Sequence, residues 1–197
     1  MALPIAHSMI GLALGIWQFV PKCASLVEAL RLAWARRVEM FVCMLIALAP
    51  DVDVIFGLCT GSLNRWHHLG THTLGWTLLT AFCIWLYSKF ALKNHSLAFW
   101  FVFLLITSHL VIDVLTSDTK KPIGIMLAWP FSEQYWHSAV SVFPAPAKKT
   151  VMDACSLHNL KNAGWEFLIC LPVVAAALLS KIIKRPGSKI TASGGEN

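Results

Sequence analysis

Charge is scarce in this chain: only 13% of its 197 residues are Asp, Glu, Lys or Arg, against roughly 25% in an ordinary soluble domain. A chain this poor in charge cannot clothe a water-facing surface. Paired thiols are missing as well. Cys23, Cys43, Cys59, Cys83, Cys155 and Cys170 show no Cys-x-x-Cys spacing, and several lie in apolar runs, where a thiol behaves as a small buried hydrophobe. No basic helix and no interleaving of basic with aromatic residues accompanies the net charge of +6 and pI near 9.1, so a nucleic-acid partner is not expected. The first residues lack a basic n-region and His7 interrupts their apolar stretch, which argues against a cleavable signal peptide. No half of the chain repeats the other, and that weighs against a transporter built from repeats.

What the sequence has in abundance is apolar surface, at 57% hydrophobic residues with a mean hydropathy of +0.64. It reads as an integral membrane protein. The nine tryptophans suit two membrane interfaces, where the amphipathic indole ring settles. Residues 3 to 20 form a first apolar segment, with His7 near its start and Pro21 closing it. Residues 21 to 37 carry Lys22, Arg31, Arg36 and Arg37 around short apolar stretches and suggest an interfacial helix. The run from Val38 to Ala49 is short for a crossing, so a second span is expected over roughly 30 to 50, ending at Pro50. A third span over 72 to 92 and a fourth over 96 to 116 follow. Residues 117 to 162 read as a long polar loop, and 164 to 183 as a fifth span. The fold class is therefore all-α, a multi-pass membrane bundle of about four to five helices. Residues 1 to 185 are read as one domain, with 186 to 197 as a disordered basic tail.

The unusual residues of this apolar chain are its histidines and aspartates. Arg65 to Thr73 packs His67, His68 and His72 into one short stretch, where Gly70 breaks any helix and Thr71 or Thr73 is a natural N-cap for the run that follows. Pro50-Asp51-Val52-Asp53 sets two carboxylates between apolar runs, where a buried charge is costly unless paired. His109 and Asp113, four residues apart, share one face of a helix.

Strict alternation of the five spans puts Lys22, Arg31, Arg36, Arg37, Lys89, Lys93, Lys181, Lys184, Arg185 and Lys189 on one side, 10 of the 16 basic residues. By the positive-inside rule that side is cytoplasmic. The same alternation gathers His7, Asp51, Asp53, His67, His72, His109 and Asp113 at the other, non-cytoplasmic face. Seven His and Asp side chains from four segments then meet at one membrane level.

No Lys or Arg in the spans is placed to neutralise these carboxylates, which makes a divalent ion the economical counter-charge. A His/Asp set without thiolates suits zinc or manganese. Seven ligands exceed the needs of one tetrahedral ion, and two metals would use them well, lowering the pKa of a coordinated water toward 7. Asp53 and His68 are the candidates for a direct part in catalysis.

His7 before an apolar helix, Pro50-Asp51-x-Asp53, His67-x-x-x-Thr71-His72-Thr73, Ser108-His109-x-x-x-Asp113 and Trp129-Pro130-Phe131-Ser132 together resemble the YdjM-like family, LexA-regulated inner-membrane proteins described as metal-dependent hydrolases. The resemblance covers nearly the whole chain up to about Ser132. It implies a bacterial inner-membrane enzyme of the SOS response. The chain departs from the family pattern at His68, where Arg is usual, and a neutral imidazole cannot replace a guanidinium that grips an anion. The His-x-x-x-Asp pair with upstream Asp and His is also similar, more weakly, to zinc-dependent phospholipase C and P1-type nucleases. That similarity implies a phosphoester substrate, here membrane lipid or a lipid-linked molecule. The competing readings are an ion transporter and a non-catalytic stress-response factor with a structural metal.

Overall fold

The computed structural model describes residues 2–55, 70–91, 97–118, 123–147, 152–153 and 156–183. His67, His68 and the tail 186–197 lie outside the described residues. Six α-helices are found among them: α1 (Pro4–Phe19), α2 (Leu26–Ala35), α3 (Arg37–Ala47), α4 (Leu74–Ala91), α5 (Phe99–Val114) and α6 (Leu157–Leu179). Two short 3-10 turns, Ala49–Val52 and Gly70–His72, sit at the end of α3 and before α4. No extended strand accompanies them in the described residues, only isolated bridges such as Ile125 with Trp136.

α1 starts on a proline at its first helical position, where the missing N–H costs nothing. Its other free donors are met from far along the chain. Leu3 N and Ala6 N donate to the Glu166 carboxylate at 2.5 and 3.0 Å, and Ala2 N donates to Asp113 Oδ1 at 3.2 Å. Glu166 thus fixes where α1 begins against α6. At their other ends Cys23 N donates to the Lys181 carbonyl and Ile183 N to the Cys23 carbonyl, both at 2.9 Å. The two helices therefore run parallel.

α1 presses closely on α3 because it offers glycine twice on one face. A Cβ on Gly11 would fall 2.8 Å from the Cys43 carbonyl oxygen and 2.9 Å from the Ala47 Cβ, and one on Gly15 would meet Met40 Sδ at 3.2 Å. This small-x-x-x-small face lets two backbones approach where a larger residue would hold them apart. Around it, Cys43 and Ile46 of α3 pack with Ala81 of α4 and with Phe101, Val102, Leu105 and Ile106 of α5. Ala13, Ile16 and Val20 pack with Met40 and with Val174 of α6.

The segment expected as one span over 30 to 50 is two helices, broken at Arg36, whose φ of −101° and ψ of 23° are not helical. Arg36 bonds Glu39 at 3.0 Å, and Arg37 lies over the Trp34 ring at 5.8 Å. Adjacent arginines at the junction keep it at a polar level, which separates α2 from α3. α6 begins at Leu157 rather than near residue 164, because Ser156 caps it by accepting from Asn159 N at 3.2 Å.

Two helices, Leu74–Ala91 and Leu157–Leu179, are long and apolar enough to cross a membrane, and Phe99–Val114 is a shorter apolar helix. Only 17% and 22% of the two longer segments is buried by the protein itself. Their outward residues are large and apolar, among them Leu79, Phe82, Phe90 and Leu168. Apolar surface on this scale is what lipid covers in a membrane protein and what a soluble monomer avoids.

Candidate metal centre

Each backbone end that converges at one level of the bundle carries a polar side chain with a local reason for its position. The 3-10 turn after α3, opened by Pro50 and closed by Asp51 N on the Leu48 carbonyl at 3.0 Å, swings Asp51 back toward the interior. The turn before α4 does the same for His72. It is held by Thr73, whose hydroxyl donates to the Gly70 carbonyl at 2.8 Å and accepts from Trp76 N at 3.1 Å. Thr73, not Thr71, is therefore the cap of α4. His109 and Asp113 lie one turn apart on α5, and His7 stands in the first turns of α1.

Four atoms from these elements form a closed ring of alternating nitrogen and oxygen. His72 Nε2 lies 3.6 Å from Asp51 Oδ1 and 3.4 Å from Asp113 Oδ2, while His109 Nε2 lies 3.5 Å from Asp51 Oδ1 and 3.4 Å from Asp113 Oδ2. Charge-assisted hydrogen bonds close at about 2.7–2.9 Å, so these pairs stand too far apart to bond one another directly. Asp51 Oδ1, His109 Nε2 and Asp113 Oδ2 are buried and have no hydrogen-bond partner among the described residues. All four nitrogen–oxygen edges fall at 3.4 to 3.6 Å, the separation of neighbouring ligand atoms that each stand about 2.0–2.2 Å from one transition-metal ion. The set fits a metal by spacing and donor type.

Each histidine ring is oriented by a contact on its other nitrogen. The Ala47 carbonyl, which can only accept, lies 2.9 Å from His109 Nδ1, so Nδ1 donates its proton there and Nε2 is the nitrogen turned toward Asp51 and Asp113. On His72, Nδ1 faces Thr71 Oγ1 at 3.0 Å and Asp53 Oδ2 at 3.3 Å, and the Thr71 hydroxyl donates to Asp53 at 2.8 Å. Asp53 therefore stands on the far side of the His72 ring from Asp51 and Asp113. A carboxylate behind a histidine fixes ring orientation and tautomer, the usual support of a metal-binding imidazole.

His7 completes the group. Its ring stacks on that of His109 with centroids 3.7 Å apart, and its Nε2 lies 3.5 Å from Asp113 Oδ1. Neither His7 nitrogen has a hydrogen-bond partner among the described residues. Two triads, His7 with Asp51 and His109, and His72 with His109 and Asp113, each have ligand atoms close enough to share an ion. His7, His72, His109 and Asp113 are buried, and only Asp51 is partly exposed. No Lys or Arg pairs with Asp51 or Asp113 among the described residues.

Of the seven sequence-derived ligands, the structure brings His7, Asp51, Asp53, His72, His109 and Asp113 together; His67 lies outside the described residues, as does His68. Two contributors, the Ala47 carbonyl and Glu166, were not singled out from sequence, and Thr71 was singled out only as a helix cap and a motif position. A backbone carbonyl leaves no sequence signal. Glu166 does: it is the one carboxylate in the 23-residue α6, and a lone acid in such a helix marks a buried partner.

The family model described as YdjM inner membrane protein matches residues 3–186, and the chain belongs to this family. No curated protein matches the chain, and no solved structure does.

Proposed function

We propose that this member of the YdjM inner membrane protein family is a multi-pass membrane metalloprotein that hydrolyses a phosphoester, or a related ester, on membrane lipid or a lipid-linked molecule. The observation that carries the reading is the ring of Asp51, His72, His109 and Asp113 at 3.4 to 3.6 Å. Its two carboxylates balance the charge of one divalent ion, a condition that matters in an apolar bundle. Two nitrogens and two oxygens as donors suit zinc, with manganese the alternative. One ion is favoured over two, because both triads share His109, whose Nδ1 is already engaged by the Ala47 carbonyl and leaves a single donor.

When bound, such an ion polarises the scissile group and makes water acidic enough to attack it near neutral pH. The residues around it hold the rest of the chemistry. Thr71 and Asp53 keep the His72 ring in register, and Ala47 does so for His109. His7, stacked beside the ring with both nitrogens uncommitted, is placed to take or return a proton through Nε2, which faces Asp113 Oδ1. Asp51, the one partly exposed member, marks the side from which substrate and water reach the site.

A second reading has its own support: four protein ligands are enough to close a zinc site, and closed sites of that kind are structural. An ion tying the ends of α3 and α4 to α5 would need no turnover. The two are separated by metal analysis of the detergent-purified protein and assay on phospholipids, lipid-linked phosphates and generic phosphodiesters, with zinc or manganese and then a chelator. Enzyme activity requires one equivalent of metal, lost in His109→Ala and Asp113→Ala, with turnover abolished by chelation. A fully loaded protein inert on the whole panel, whose cobalt-substituted spectrum ignores added anions, would leave the structural ion.

A further inference from the structure

The segment 123–147 was expected as a polar loop, yet most of its exposed side chains are apolar or aromatic, with Glu133, Gln134 and Ser141 the exposed polar ones. Phe131 is 95% exposed, Val140 69% and Trp136 48%. The segment is nonetheless anchored at both ends to the helices that carry the site. Leu74 N at the head of α4 donates to the Leu127 carbonyl at 2.9 Å, and Trp129 packs beside Gly70. Ser138 N bonds the Val114 carbonyl and Val142 N the Leu115 carbonyl at the end of α5, at 3.0 and 2.8 Å. Asn159 and Asn162 on the first turns of α6 hold the carbonyls of Ala147 and Ala145 at 2.8 and 3.1 Å.

A level in the bilayer is implied by where the amphipathic rings fall. Every described Trp and Tyr lies at one end of the bundle or the other. Trp17, Trp34, Trp85, Tyr87 and Trp100 occupy the end where α1, α2 and α4 finish and α5 starts, whereas Trp76, Trp129, Tyr135, Trp136 and Trp165 lie at the metal end. Two aromatic belts mark two membrane interfaces. Three of the five rings in the second belt belong to segment 123–147.

Helix length points the same way. α5 has 16 residues and so spans about 24 Å, short of the roughly 30 Å of hydrocarbon in a bilayer. The missing thickness must be apolar material at one end of α5 or a thinned membrane. Segment 123–147 supplies such material directly over the metal end. Its surface is continuous with the lipid-facing flanks of two candidate spans: Trp165 Nε1 on the outward side of α6 bonds the Val142 carbonyl at 3.4 Å, and Leu127 is tied to Leu74, which opens the outward row Leu74, Leu78 and Phe82 of α4.

We propose that segment 123–147 is a lipid-contact collar that lies in the headgroup layer of the membrane beside the metal centre, with Trp129, Phe131 and Trp136 as its anchoring side chains. The proposal rests on the membrane-embedded reading of the bundle and not on catalysis. Its partner is phospholipid at the glycerol level, and a soluble protein docked on this face is the alternative outcome.

The test uses the full-length chain in vesicles of phosphatidylethanolamine and phosphatidylglycerol doped with one of two photoactivatable phospholipids, the reactive diazirine placed near the glycerol or at the end of an acyl chain. Labelled residues are mapped by peptide mass spectrometry. The shallow probe should label 129–136 and the deep probe should not, while the deep probe labels the outward face of α4 at Leu78 and Phe82. Label on α4 with none on 129–136 from either probe would overturn the collar and leave the bundle reading standing. Absence of label at both places would remove the two together.

Discussion

Replacing Gly11 by alanine is the sharpest test of how the bundle sets the metal ligands, because one methyl group is added at the point where α1 and α3 are closest. The new Cβ would lie 2.8 Å from the Cys43 carbonyl oxygen, 2.9 Å from the Ala47 Cβ and 3.0 Å from the Met44 Cα. Two of these three are backbone atoms and none belongs to a side chain that can swing away. Carbon atoms settle at about 3.5–4.0 Å, so the helices must part by about 0.6 Å or more. Overpacking of this kind costs about 1–3 kcal/mol, against about 0.5–1 kcal/mol returned by replacing a helical glycine. The larger consequence is at the site, since Ala47 holds His109 through its carbonyl and leads into the turn carrying Asp51. Metal geometry tolerates errors of about 0.2 Å, so Gly11→Ala should lower metal affinity by at least about tenfold, or about 1.4 kcal/mol.

The companion variants give a graded series. Gly15→Ala meets the Cys43 Cβ and the flexible Met40 Sδ, both at 3.2 Å, wider than the contacts at Gly11, and should cost less, and Gly164→Ala on α6 meets nothing within 4 Å and should be neutral or stabilising. Metal titration and thermal unfolding of the three proteins in one detergent make the comparison. Gly11→Ala with parental affinity and melting temperature would refute the claim that this contact positions the ligands.

Other expectations follow from single contacts. Thr71→Val removes the hydroxyl between Asp53 and His72 and should weaken metal binding by about 10- to 100-fold, with little change in the melting temperature of the metal-free protein. Glu166→Leu strips acceptors from Leu3 N and Ala6 N, at about 1–3 kcal/mol per orphaned donor; Glu166→Gln, which keeps one acceptor oxygen, should unfold between Glu166→Leu and the parent. Reporter fusions after Lys93 and after Ser117 should report opposite sides of the membrane, the first cytoplasmic. An external reading after Lys93 inverts the topology.

Much of the site was legible in the sequence because apolar spans are poor in polar residues, so His7, Asp51, His72, His109 and Asp113 stand out wherever they occur. Their convergence could be argued too, since alternation of spans forces the start of one helix and the end of the next to the same level. The division of labour was not legible: only the fold shows that Asp53 stands behind His72 while Asp51 joins the ring, as the two are just two residues apart. The break at Arg36 hid inside a hydropathy pattern that a continuous helix would also satisfy. Segment 123–147 was read with its surroundings, where Lys120, Lys121, Lys148 and Lys149 flank it and its three prolines break any long helix, whereas most of its surface is made by Trp129, Phe131, Trp136 and Val140. Gly11 and Gly15 carry a periodic signal, but what they approach is a matter of packing.

The bond between His109 and the Ala47 carbonyl reaches beyond ring orientation. Ala47 is the last residue of α3, where the helix leaves carbonyls without internal partners, so a helix that had to end somewhere ends on the imidazole. With Nδ1 spent on α3, Nε2 is the one nitrogen of this ring left to face Asp51 and Asp113. A residue added to or removed from the end of α3 would carry that anchor away and turn the imidazole, so the length of one helix is written into the aim of a side chain on another.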